Sequence, residues 1–151
     1  MLPKWHILFG VILSVLIWIA VPKINLFHLL LLFFSSFLID FDHYMCAIIN
    51  TRKFRLSEAY EYHKEMDKLE EKRRKEGIKQ RGDFHLFHTI EFHVLVGILS
   101  IFWIGFFYIF LGMMFHSLTD LYSLLYSSQM YKREFFLTNW LRQRINLAKE
   151  N

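Results

Sequence analysis

Eight histidines and a handful of carboxylates lie in or beside the apolar stretches of this 151-residue chain, and their spacing is what could do chemistry. Asp40 and His43 stand three residues apart, as do His85 and His88, while His116 and Asp120 stand four apart. On a helix, residues three or four apart share a face. Each pair therefore projects one way, as metal ligands do inside helical bundles. Neutral imidazole nitrogen and carboxylate oxygen suit a divalent cation, zinc first, with manganese or iron as alternatives. An aspartate at mid-helix in a bilayer costs about 3 kcal/mol on insertion scales unless it is paired. A cation shared among several such groups would relieve that cost.

The candidate ligands are His6, Asp40, His43, His88, His116 and Asp120, and Glu91 or Asp42 is the candidate proton acceptor. Each also has a plainer reading. A lone His-x-x-x-Asp is more often a hydrogen-bonded pair, His6 alone would be an interfacial residue, and Asp40 could cap a helix. Glu91 could equally be a ligand or the partner of one. Helical phase turns His93 away from His88. His63 reads as a surface residue unless the charged segment folds back. The joint pattern favours a metal site, with a proton or ion pathway and a structural polar network as the alternatives.

These residues need elements to hold them. More than half of the chain is apolar, and the apolar residues are gathered into long runs on either side of a charged middle, a membrane pattern. Pro22 and Lys23 stop the first run, which lacks the small-x-small site of a cleaved signal peptide. The stretch from Phe92 to Tyr126 would make a helix of about 50 Å, too long for one crossing of a ~30 Å core. It reads as two helices turning near Gly105. Four crossings put seventeen of the eighteen Lys and Arg on one side and only Lys23 on the other, which makes both termini cytoplasmic. The expected fold is all-α: a polytopic membrane bundle with spans near 6–22, 25–43, 88–104 and 106–126. A cytoplasmic charged helical hairpin fills 51–84, and an interfacial tail covers 131–151. On these helices His6, Asp40, His43, His88, His116 and Asp120 fall at one depth, the cytoplasmic leaflet. His28 falls near the outer end, about 18 Å from Asp40 along the axis.

The middle segment predicts a helix over 57–76 ending at Gly77, with Glu70/Arg74 and Glu71/Lys75 as i,i+4 pairs. Tyr62, Met66 and Leu69 form a narrow apolar stripe able to dock, and 57–81 is the candidate surface for a cytoplasmic protein partner. Phe135, Phe136, Trp140, Leu141 and Ile145 beside Arg142 and Arg144 suggest an interfacial helix. The single cysteine, Cys46, excludes an internal disulfide and a Cys-rich zinc motif. Topology accounts for the net charge of +4, so no nucleic acid partner is expected.

Trp5-His6, Asp40-Phe41-Asp42-His43, His88-Thr89 and the run from Gly112 to Asp120 with His116 between resemble, in that order, the membrane-bound metal-dependent hydrolases of the YdjM type. Those are distantly similar to zinc-dependent phospholipase C and P1-type nucleases, all-helical enzymes in which a His-x-x-x-Asp helix helps to hold the metals. The likeness covers the four apolar segments and neither the charged middle nor the tail. Ile39 stands where the family usually has proline, and Phe87-His88-Thr89-Ile90-Glu91 replaces its Arg-Gly-x-Thr-His-Ser stretch. The resemblance implies hydrolysis of a phosphoester or related bond. Membrane lipids would be neighbours, and an amphiphilic, lipid-like anionic molecule the substrate. A non-catalytic membrane protein with a structural metal or polar network is the alternative. An ion transporter ranks last, because the outer half offers only His28 and a few serines.

Overall fold

The computed structural model describes residues 3–150, and all regular structure among them is helical. Helix α1 (Pro3–Ala20) starts on a proline, whose missing N–H costs nothing at a first helical position. Asn25 caps α2 (Leu26–Leu38), its side chain accepting from Phe27 N at 2.8 Å. A tight turn at Ile39 and Asp40, closed by three-residue bonds such as His43 N to the Asp40 carbonyl at 3.0 Å, leads into α3 (Phe41–Thr51). The apolar run thus continues as a bent rod from Leu26 to Thr51, past the expected end at 43.

Helix α4 (Leu56–Lys75) carries most of the charged middle. It ends where Gly77 takes φ +76 while Ile78 N bonds the Arg73 carbonyl and Gly77 N that of Arg74, the paired closure of a Schellman motif. The expected hairpin is therefore one helix and an extended return. Ala59, Tyr62, His63 and Met66 form its inward face, while Leu69 of the expected stripe is exposed.

A single 3-10 turn at Leu86–His88 leads to α5 (Ile90–Leu99), capped by Thr89. The chain reverses over residues 100–103 and returns as α6 (Ile104–Tyr126). Gly105 lies in the first turn of α6 rather than in the reversal, because there a Cβ would meet the Trp103 ring at 2.3 Å. After α6, a 3-10 turn at Met130–Lys132 precedes α7 (Leu137–Glu150).

Helix α2 is the centre of the bundle and packs against both α6 and α1, which also touch each other through His6 and His116. Gly112 permits the first contact: a Cβ there would lie 2.4 Å from the Leu32 carbonyl and 3.0 Å from Ser36 N. Gly10 permits the second, where a Cβ would lie 2.1 Å from Ser36 Oγ. Small residues at such crossings let membrane helices approach closely.

Two helices, Leu26–Thr51 and Ile104–Tyr126, are long and apolar enough to cross a membrane, while Lys4–Ala20 and Ile90–Leu99 are shorter apolar helices. At 1.5 Å per residue, α5 is about 15 Å long, half of a hydrocarbon core. The surface of these helices is apolar. Leu16, Trp18, Ile19, Val94 and Ile98 are each more than half exposed, as are Ile101 and Phe102 in the reversal. The interior is the reverse, its buried positions including His6, Ser36, Asp42, His88, Thr89, His93, His116 and Asp120.

Candidate metal centre

Turn positions bring the ligands level. His6 lies fourteen residues from the end of α1 and Asp40 fourteen from the start of α2, while His116 lies twelve from the start of α6. These lengths put all three about 18–21 Å from the turns at the far end of the bundle. Asp40, His88, His116 and Asp120 each offer one donor atom, and the four atoms lie within 4.8 Å of one another. His88 Nε2 is 3.2 Å from His116 Nε2 and 3.5 Å from Asp40 Oδ1. His116 Nε2 is 3.3 Å from Asp40 Oδ1 and 3.6 Å from Asp120 Oδ2, which is 3.9 Å from His88 Nε2. Tetrahedral ligands held at zinc distances stand about 3.4 Å apart. The donor set and its spacing fit such an ion.

Hydrogen-bond partners assign the protons of the histidines. His88 Nδ1 faces Asp42 Oδ2 at 3.0 Å, and His116 Nδ1 faces the Ser36 carbonyl at 2.9 Å. Both partners are acceptors, so Nδ1 carries a proton and Nε2 is the nitrogen turned to the cluster. His6 follows the same rule. Thr119 Oγ1 donates to the His116 carbonyl at 2.8 Å and so accepts from His6 Nδ1 at 3.3 Å. His6 Nε2 is buried without a hydrogen-bond partner, although Asp120 Oδ1 lies 3.1 Å away. The His6 ring stacks on His116 at 3.9 Å between centroids. Three imidazole Nε2 atoms thus converge with two carboxylates. A separation of 3.2 Å suits two ligands of one cation or a shared proton, not two bare lone pairs.

Asp40 occupies the N-cap position of α3 but makes no capping bond with its side chain, which leaves the carboxylate to the cluster. Asp42 does not join the four donors; it stands behind His88, where Oδ2 also accepts from Phe87 N at 2.9 Å. This is the carboxylate–histidine arrangement that orients metal-binding imidazoles. Asp42, His43 and His88 form a second group with metal-binding spacing, and His43 Nε2 is 3.6 Å from Asp40 Oδ1. Glu91 is not brought to the cluster. Its carboxylate accepts from Leu137 N at 2.9 Å and Thr138 N at 3.1 Å, closing the start of α7. His93 turns to the Thr89 carbonyl and Ser117 Oγ, each at 2.9 Å. His28 stacks on Tyr108 near the far turns.

Several contributors came from outside the expected set. Arg133 Nη2 reaches Asp120 Oδ2 at 2.7 Å, and nothing in its local sequence marks it. His63 folds back with α4 so that Nε2 bonds the His43 carbonyl at 2.9 Å. His85, whose i,i+3 spacing to His88 was the available signal, stacks against His43 at 3.7 Å. Its Nδ1 and Asp42 Oδ1 lie 3.7 Å apart, both buried without a hydrogen bond. Burial pushes the His85 imidazole down to about 4, so it is neutral.

His43, His63 and His85 also line a cleft of about 210 Å³, closed on its other sides by Asp67, Asp83, Lys132 and Arg133. Asp40 and His43 are the exposed edge of the cluster, with side chains 18% and 33% accessible, whereas His88 and His116 are sealed. A second, almost wholly apolar cavity of about 280 Å³ lies between α2, α5 and α6, and Ile39 and Phe87 form its end beside Asp40 and His88. Comparison of the chain with protein-family models, with curated proteins and with solved structures finds no match.

Proposed function

We propose that this protein is a metal-dependent membrane hydrolase that cleaves a phosphoester or related bond of an amphiphilic substrate at the cytoplasmic leaflet. The observation that carries the reading is the convergence of His6, His88 and His116, each with Nδ1 bonded away from the cluster and Nε2 turned toward Asp40 or Asp120. Four crossings with cytoplasmic termini are part of the proposal. The exposed apolar faces of α1 and α5 support it, as does the distribution of Lys and Arg along the chain. The resemblance to YdjM-type hydrolases supplies the reaction class.

Asp40, His88, His116 and Asp120 would hold the cation, with His6 adjoining and His43 at the open edge; zinc suits this donor set. When bound, it supplies a Lewis acid and lowers the pKa of water toward neutrality. Asp42 keeps His88 in the binding tautomer, and its Oδ1, beside His85 at the cleft, would accept a proton. The cleft would take the polar end of the substrate and the apolar cavity its chain.

Metal analysis of detergent-purified protein tests this directly. Wild type should carry stoichiometric metal, and His116→Ala and Asp40→Ala should lose it; metal-free wild type sinks the proposal. Phosphodiesters and phosphomonoesters in mixed micelles then test turnover. The alternative is a non-catalytic membrane protein, favoured by the Arg133–Asp120 pair, which compensates one buried charge without a metal ion. It predicts a folded, metal-free wild type or bound metal without turnover.

A further inference from the structure

Arg133 is the cation that touches the cluster among the described residues, and it stands where the cluster meets the cleft. Its side chain is 14% accessible, and its guanidinium bonds Asp120 through Nη2. A guanidinium has five N–H donors in a planar fork, so most of them are left for the cleft.

The position of this arm is fixed by its backbone. Gly82 N donates to the Lys132 carbonyl at 2.9 Å, and Ile90 N donates to the Phe135 carbonyl at 2.9 Å. Arg81 pairs with Glu134, and Phe84 stacks on Trp140 at 4.3 Å. Residues 130–140 are thus laced to residues 81–91, the stretch that also delivers His85 and His88.

The cleft carries carboxylates as well, and most are engaged. Glu70 binds Lys132 at 2.5 Å, Glu134 binds Arg81 and Asn139, and Asp83 accepts from Tyr62 at 2.9 Å. Burial, and then the charge of Glu70, hold the Asp67 carboxyl above the usual range. Asp120 Oδ2 faces both Arg133 and the two Nε2 atoms, so a cation at the histidines would share that oxygen and loosen the arm toward the cleft.

We propose that Arg133 is the anion-binding arm of this site, gripping a phosphoryl oxyanion of the substrate over the open edge formed by Asp40 and His43. The proposal rests on the metal reading above and adds to it the group that selects an anionic substrate. Arginine suits the task because its fork matches two phosphoryl oxygens at once.

The test uses the full chain in detergent, loaded with metal, and inorganic phosphate as the probe, with binding followed by calorimetry and metal content measured on the same samples. Wild type should bind phosphate, and Arg133→Gln should weaken binding tenfold or more with metal content unchanged. Arg133→Lys, which keeps a positive charge beside Asp120, should fall between them. Phosphate binding by Arg133→Gln within twofold of wild type, or by no loaded protein at all, overturns the arm and leaves the metal reading standing. Loss of metal in both Arg133 variants would also overturn it, since Arg133 would then serve to support Asp120. A wild type that takes up no metal removes the reading beneath it and this one together.

Discussion

The bundle interior and the solvent-side cap over the cleft are both rich in polar side chains, but they hold them in different ways. In the interior, His6, His88 and His116 each commit Nδ1 to one defined acceptor, and all three are almost fully buried. In the cap, Lys75–Glu71 and Arg81–Glu134 join side chains that are largely exposed on at least one partner. Water can replace the second kind of contact but not the first. The interior is therefore built for one arrangement, and the cap is built to be adjusted. That division would suit the proposed cation site and the cleft beside it.

The comparison can be broken most sharply at a ligand. His88→Ala removes one of the four donors and leaves Asp42 buried without its imidazole; stoichiometric metal should disappear from the purified protein by elemental analysis. Asp42→Asn keeps every donor but loses the carboxylate behind His88, and metal affinity should fall about 10–100-fold in a competition titration with a chelator.

Packing around the interior gives smaller effects of graded size. Gly112→Ala drives a Cβ against backbone atoms of α2, and thermal unfolding in detergent should show a loss of about 1–3 kcal/mol. Gly10→Ala meets the Ser36 hydroxyl instead. A side chain can turn aside, so the loss should be clearly smaller than for Gly112→Ala. Equal losses would mean that α1 is held as rigidly as α6.

The cap should yield least. Arg81→Gln breaks a pair exposed on its arginine side, and Asn139 and Gln143 still bond Glu134; stability should change by less than about 1 kcal/mol, with metal content unchanged. If it lowered metal content, the cap would be part of the centre rather than a cover for it.

Legibility followed the same division. Periodicity and turn residues marked α1, α2, α4 and α6 because their apolar or charged patterns are local. Asp40-Phe41-Asp42-His43 reads as the end of a span near 43, yet it sits at a turn inside a longer apolar rod. Glu91 looked like a cluster residue because it follows His88 by three. Its helix begins only at Ile90, after the 3-10 turn and the Thr89 cap, so the shared-face rule does not join the two.

By itself the sequence determined which residues could lie at one level of the bundle, because helical rise is fixed and Pro22–Lys23 marks one far turn; the other far turn, at 100–103 rather than at Gly105, came from the structure. Of the spaced pairs, His116 and Asp120 lie together on α6, whereas Asp40 precedes α3 as its N-cap and His85 precedes a 3-10 turn. Only the tertiary structure decided which nitrogen of each histidine points at the cluster, since that depends on acceptors as distant in the chain as Ser36 from His116 and Asp42 from His88. It likewise decided that Arg133 enters and Glu91 leaves. Both follow from how residues 130–140 lace onto residues 81–91, a long-range pairing of backbone and side-chain groups that leaves no periodic trace in either segment.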